Sequence, residues 1–170
     1  MPRRIVLTAV VAGVALFLAF WTYALFFASK DAENRIADRA WAQRAEVICQ
    51  AADGQREALA DLRPLEGDDP AMLRERAAIV DRATDVIETM LDDVVGVRPA
   101  DDKGRAIVPL WEGDYRTYLD DRRAYADLLR TGADEPFRET AVDGIPISDK
   151  VATFAGDNEM PSCSPPTDLS

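Results

Sequence analysis

The chain contains no histidine. That absence removes imidazole general acid–base catalysis, the Ser-His-Asp and Cys-His nucleophile arrangements, and histidine metal sites. Glycine-rich phosphate loops, G-x-S-x-G and the calcium-loop spacing are missing too. Lysine is scarce, three residues against 17 arginines, and there are two cysteines, Cys49 and Cys163, in no Cys-x-x-Cys arrangement. With the common catalytic constellations gone, the chain reads as a non-enzyme that needs no cofactor and no metal. Its acids come in adjacent pairs, Asp68/Asp69, Asp92/Asp93, Asp101/Asp102 and Asp120/Asp121. Neighbouring helical residues face different ways, so helix capping and solvation account for these pairs better than a calcium site or a glycosidase pair does.

What is present begins with residues 5–28, IVLTAVVAGVALFLAFWTYALFFA, which carry no charge. As a helix they would rise about 36 Å, enough to cross a hydrocarbon core of about 30 Å. Arg3 and Arg4 precede the run, and the positive-inside bias then puts residues 1–4 in the cytoplasm as a short end and residues 29–170 outside. A cleaved secretory signal is the competing reading. The run exceeds the usual h-region of about 7–15 residues, and a cut after Ala28 would place Phe26 where a small residue is required. The expectation is a single-pass signal-anchor in the cell membrane. Within the run Thr8, Ala12, Ala15, Ala19 and Thr22 align at helical spacing, a stripe on which another membrane helix could pack closely.

All 31 acidic residues follow the apolar run, against a total of 20 basic ones, and the whole chain carries a formal charge of −11. Nucleic acid is an unsuitable partner for such a surface. On the predicted oxidising side, Cys49 and Cys163 are expected to form one disulfide, with pairing across a homo-oligomer as the alternative.

The outer part is long enough for one domain. Its first helix is read from Asp31 to Leu62, continuing out of the span, with Trp41, Ala45, Ile48, Ala52, Leu59 and Leu62 on one face and Arg63-Pro64 as the stop. Asp69 and Pro70 start a second helix, whose buried stripe is Leu73, Ala77, Val80, Thr84, Ile87, Leu91 and Val94, and Gly96 and Pro99 close it. A third starts near Asp101-Asp102, is disturbed by Pro109, and runs to Gly132. Its seam can be drawn through Trp111, Tyr115, Tyr118, Arg122, Tyr125 and Leu129, or through Ile107, Trp111, Asp114, Tyr118, Asp121, Tyr125 and Leu128. Residues 133–148 read as an ordered loop, Ser148 as the cap of a short helix over Asp149 to Phe154 or Ala155, and the final MPSCSPPTDLS as a tail pinned by Cys163.

The fold expected is all-α: an N-terminal transmembrane helix followed by a three- to four-helix up-down bundle with one disulfide. Two surfaces are candidate contacts. One is the row Trp111, Tyr115, Tyr118, Arg122 and Tyr125, where rings interleave with a guanidinium in a way that suits a ligand or a partner peptide. Set against it is an ordinary core in which Arg122 pairs with a neighbouring carboxylate. The other is GIPIS in the loop. The stretch WEGDYRTYLDDRRAYADLLRTG, with the following PF, GIPIS and MPSCSPP, resembles membrane-anchored or secreted helical proteins of actinobacteria, a resemblance that covers the C-terminal third and implies no activity. The function expected is an anchored module that binds another membrane or envelope protein, as an accessory subunit would; the alternative is a ligand-binding or sensory bundle.

Overall fold

The computed structural model describes residues 2–26, 32–59 and 69–169, with the side chains of the first segment described at residues 8 and 10–26. The chain divides into two compact units, residues 1–32 and 33–170. The first contains helix α1, Pro2–Phe26. Its described large apolar side chains, from Val10 to Phe26, are exposed to solvent, as are Thr8, Ala12, Ala15, Ala19 and Thr22. Among the described residues no helix is long and apolar enough to cross a membrane. Ile5, Val6, Leu7, Ala9, Phe27 and Ala28, which complete the apolar run in the sequence, lie outside the described side chains.

The second unit is built on three long helices, α2 (Arg39–Glu57), α3 (Pro70–Val95) and α4 (Asp102–Arg130). A short hairpin follows, β1 (Ala141–Val142) with β2 (Ile145–Pro146), then α5 (Ile147–Asp157) and a 3-10 turn at Pro161–Cys163. Helix α3 packs against both α2 and α4, α5 lies on α4, and the 3-10 turn returns to α2. The disulfide Cys49–Cys163 closes this circuit, with Cα atoms 5.1 Å apart across 114 residues of sequence. Both cysteines are buried in one core with Trp41, Leu91, Trp111, Tyr115, Val151 and Met160. A smaller cluster of Leu73, Ala77, Val80, Ala126 and Leu129 continues between α3 and α4.

Helices α3 and α4 begin where their caps place them. The Asp69 carboxylate accepts from Ala71 N–H at 2.8 Å with Pro70 at the first helical position, and Asp101 accepts from Gly104 N–H at 2.8 Å. Every residue of the expected α3 stripe, Leu73 through Val94, is buried. Pro109 does not interrupt α4. It removes a single helical donor, and the helix runs on to Arg130, where Gly132 follows at φ +89°.

The first bundle helix departs from expectation. It starts at Arg39, not Asp31, and residues 32–38 form a non-helical strap. The competing bonds explain why. Asp38 caps Trp41 N–H at 2.9 Å and accepts from Ala100 N–H at 2.8 Å, while Ile36 N–H donates to Asn158 Oδ1 and Asn158 Nδ2 donates to the Asn34 carbonyl. Asn158 and Ile36 are fully buried by this exchange. At its far end the helix stops at Glu57, short of the expected Leu62, with the Ala58 N–H donating back to the Gly54 carbonyl; Leu62, the Arg63-Pro64 stop and Asp68 lie outside the described residues. Cross-helix donors complete the end of α3: Trp41 Nε1 donates to the Val97 carbonyl at 2.7 Å and Arg44 to the carbonyls of Val94 and Val97.

The caps of α2 and α4 interlock, because Asp38 N–H also donates to Asp101 Oδ1. Amide bonds from Ala100 and Trp41 hold the Asp38 carboxyl below its ordinary value. Burial opposes the charge of Asp101, but amide bonds led by Gly104 overcome it, so its pKa is lowered too. Gly104 sits inside this junction, and a Cβ there would lie 2.6 Å from Pro99 Cβ and 2.8 Å from Asp101 Oδ1. Gly104→Ala is therefore expected to destabilise the domain by about 1–3 kcal/mol through overpacking, despite alanine's better helix propensity. A thermal unfolding midpoint at or above that of the parent would refute this.

The loop after α4 also contains more structure than its composition suggested. Asp143 and Gly144 take positive φ, 55° and 79°, the two-residue turn that lets Ala141 pair with Pro146 and Val142 with Ile145. Helix α5 starts at Ile147, with Pro146 at the cap position and no side-chain cap. Ser148 is not that cap: its N–H and hydroxyl both donate to the Glu139 carboxylate, at 2.8 and 2.9 Å.

Candidate functional site

Helix α4 distributes its aromatic row over two environments. Trp111, Tyr115, Tyr118 and Arg122 are buried, and Tyr125 is half-buried. The rings form a chain of edge contacts, Trp111 to Tyr115 at 5.5 Å and Tyr115 to Tyr118 at 6.3 Å; Phe137 from the loop then meets Tyr118 at 6.1 Å and Tyr125 at 5.6 Å. Burial, with the neighbouring Tyr118 second, pushes the Tyr115 phenol far above its ordinary value, so it is a neutral ring at any physiological pH. Of the two seams, the one through Arg122 and Leu129 is the buried one. Asp114 and Asp121 sit at the edge of the helix, where Asp114 pairs with Lys150 at 3.0 Å and Asp121 accepts from the amide and hydroxyl of Thr140.

Arg122 is 0% exposed, and the chain itself satisfies it. Nη1 and Nη2 donate to the two oxygens of Asp168 at 2.7 and 3.0 Å, and Nε donates to Thr84 Oγ1 at 3.0 Å. Nη1 also lies 3.3 Å from the Tyr118 hydroxyl, and the guanidinium stands 5.7 Å from the centre of that ring. The Tyr118 hydroxyl in turn donates to the Pro166 carbonyl at 2.9 Å. Burial works against the charge on Arg122, but the hydrogen bond and field of Asp168 overcome it, so its pKa is raised. The row thus forms part of the core, and its polar end holds the C-terminal segment.

A solvent-open groove lies at the other end of the row. It has a volume of about 380 Å³, and Ile107, Leu110, Trp111, Ile145 and Phe154 supply its apolar lining. Trp111 and Phe154 stack at 5.2 Å with 25° between their planes and make a flat aromatic wall. Leu110 is 68% exposed and Ile145 50%, and the ion pair Lys150–Asp114 stands at the margin. The two surfaces singled out in the sequence, the aromatic row and GIPIS, therefore meet here through Trp111 and Ile145. Leu110 and Phe154 were not recognised from the sequence. Leu110 faces away from either seam, and its exposure on a helix with its apolar face already buried is the signal that finds it.

Among the described residues there is no group of three or more His, Cys, Asp or Glu side chains placed to hold a metal ion. No family model, no curated protein and no solved structure matches the chain.

Proposed function

We propose that the chain is a non-enzymatic, membrane-anchored module whose extracytoplasmic domain binds another membrane or envelope protein through the Trp111–Ile145 groove. The anchor reading rests on the uncharged apolar run at residues 5–28 behind Arg3 and Arg4. The buried disulfide supports an oxidising location for the domain. The observation that carries the binding role is the exposure of Leu110 and Ile145 beside an aromatic wall, since large apolar side chains left open next to one another are the usual mark of a contact surface. The alternative, a ligand-sensing bundle, has less support because the polar end of the α4 row is already filled by the chain's own Asp168.

The test is in-cell cross-linking followed by mass spectrometry on the parent and on the Leu110→Asp/Ile145→Asp double variant. Both side chains are exposed, so the thermal midpoint should hardly move, within about 0.5 kcal/mol for each change. The cross-link to the partner should disappear. A cross-link that survives both substitutions removes the groove from the reading, and recovery of a second copy of the chain would make the partner itself.

A further inference from the structure

The C-terminal segment is held as a ligand is held. Residues 164–169 belong to no helix or strand. They start from a fixed point, Cys163, and lie across the side chains of α4, α5 and the preceding loop. Their polar contacts include the Tyr118 hydroxyl on the Pro166 carbonyl and the forked pair of Arg122 bonds on Asp168, with Arg56 adding a second guanidinium 3.8 Å from Asp168 Oδ2. Pro165 and Pro166 line one small cavity together with Tyr118, Phe137 and Ala152, while Leu169 packs on the cluster of Leu73, Val80 and Leu129. A cavity of about 220 Å³ remains open beside the segment, so the fit is not that of a closed core.

These are the features of a receptor for an extended peptide: aromatic rings for prolines, a planar fork for a carboxylate, and an apolar seat for the residue after it. Arg122 is fully buried and has Thr84 to orient it, so the fork is built into the bundle rather than contributed by the tail. We infer that the Arg122 site is a peptide-carboxylate binding site which the chain fills with its own Pro-Pro-Thr-Asp-Leu segment. A separate segment of the same chemistry can take the seat when the tail is weakened. The tail masks the site because tethering at Cys163 keeps it at an effective concentration that a free peptide must exceed.

The probe is a fluorescently tagged synthetic peptide with the sequence of residues 164–170, titrated against the full-length chain and followed by anisotropy. The chain carrying Asp168→Asn, which keeps the shape of the side chain, should bind it at least about tenfold more tightly than the parent, whose own tail competes at a high effective concentration. A peptide with Asn in place of its Asp should lose that binding, and so should adding Arg122→Gln to the Asp168→Asn chain. Equal binding with and without Arg122, or no binding by a folded Asp168→Asn chain, overturns the inference. Hydrogen exchange on the unaltered chain tests it without any substitution. The amides of residues 167–169 should exchange through a local opening well before those of α4, and exchange only on global unfolding would mean that the tail never leaves its seat.

Discussion

Replacing Arg122 by alanine is expected to cost the domain about 3–5 kcal/mol, a fall of about 10–15 °C in the thermal midpoint of a domain this size. The guanidinium is wholly buried, and its removal takes one bond from each of three groups: the Asp168 carboxylate, the Thr84 hydroxyl and the Tyr118 hydroxyl. Thr84 retains its bond to the Val80 carbonyl, and Asp168 is about one-quarter exposed and reaches water, so most of the cost falls on the cavity and the lost tail contact. Asp168→Ala should be as damaging or more so, because it leaves a buried cation with only Thr84 and Tyr118 for company. In the double variant the two losses should not add, since one change already releases what the other would. A loss below about 1 kcal/mol, the range of an exposed pair, would show that water replaces Asp168 freely.

The second large effect is that of the disulfide. Cross-linking residues 114 apart removes about 4–5 kcal/mol of chain entropy from the unfolded state, so Cys49→Ser/Cys163→Ser should unfold at a much lower temperature than the parent. Both sulfurs are buried among apolar side chains, and two serine hydroxyls there would add an unsatisfied-polar cost that simple reduction does not. Thermal unfolding of the parent with and without reductant separates the two contributions. Midpoints unchanged by reductant, with the thiols shown to be free, would mean that the tail and strap hold without the covalent link.

Bundle packing was readable where it depended on neighbours along the chain. Asp69-Pro70 and Asp101 fix the starts of α3 and α4, Gly96 and Gly132 follow their ends, and the stripe of α3 is buried as its spacing requires. The start of α2 was not readable, because Asp38 and Ile36 choose partners at Ala100 and Asn158 that no local pattern identifies. Arg122 announced that it needed a carboxylate. Its position alone could not say that the carboxylate would be Asp168, 46 residues on in a segment without periodicity. The hairpin was readable in principle, since Asp143-Gly144 between apolar residues is a standard two-residue turn; the two prolines nearby drew the reading to a loop instead. Of the candidate site, Trp111 and the GIPIS segment were identified separately, and only the packing of α5 on α4 brings them to one groove.

The way the domain's two ends are tied together bears on how it is made. Ile36 waits for Asn158, Glu46 for the amide and hydroxyl of Ser162, Cys49 for Cys163, and Arg122 for Asp168. A nascent chain can wind α2, α3 and α4 as they emerge, but the partners of Ile36, Glu46 and Cys49 arrive 122, 116 and 114 residues later. Such long-range closure makes assembly a late, all-at-once event rather than a stepwise one. A message truncated even shortly before residue 158 would therefore yield a product with an open α2 face and a free thiol at Cys49. The cell's proteases and disulfide-forming enzymes could tell such a product from a finished one without reading anything but its unfinished end.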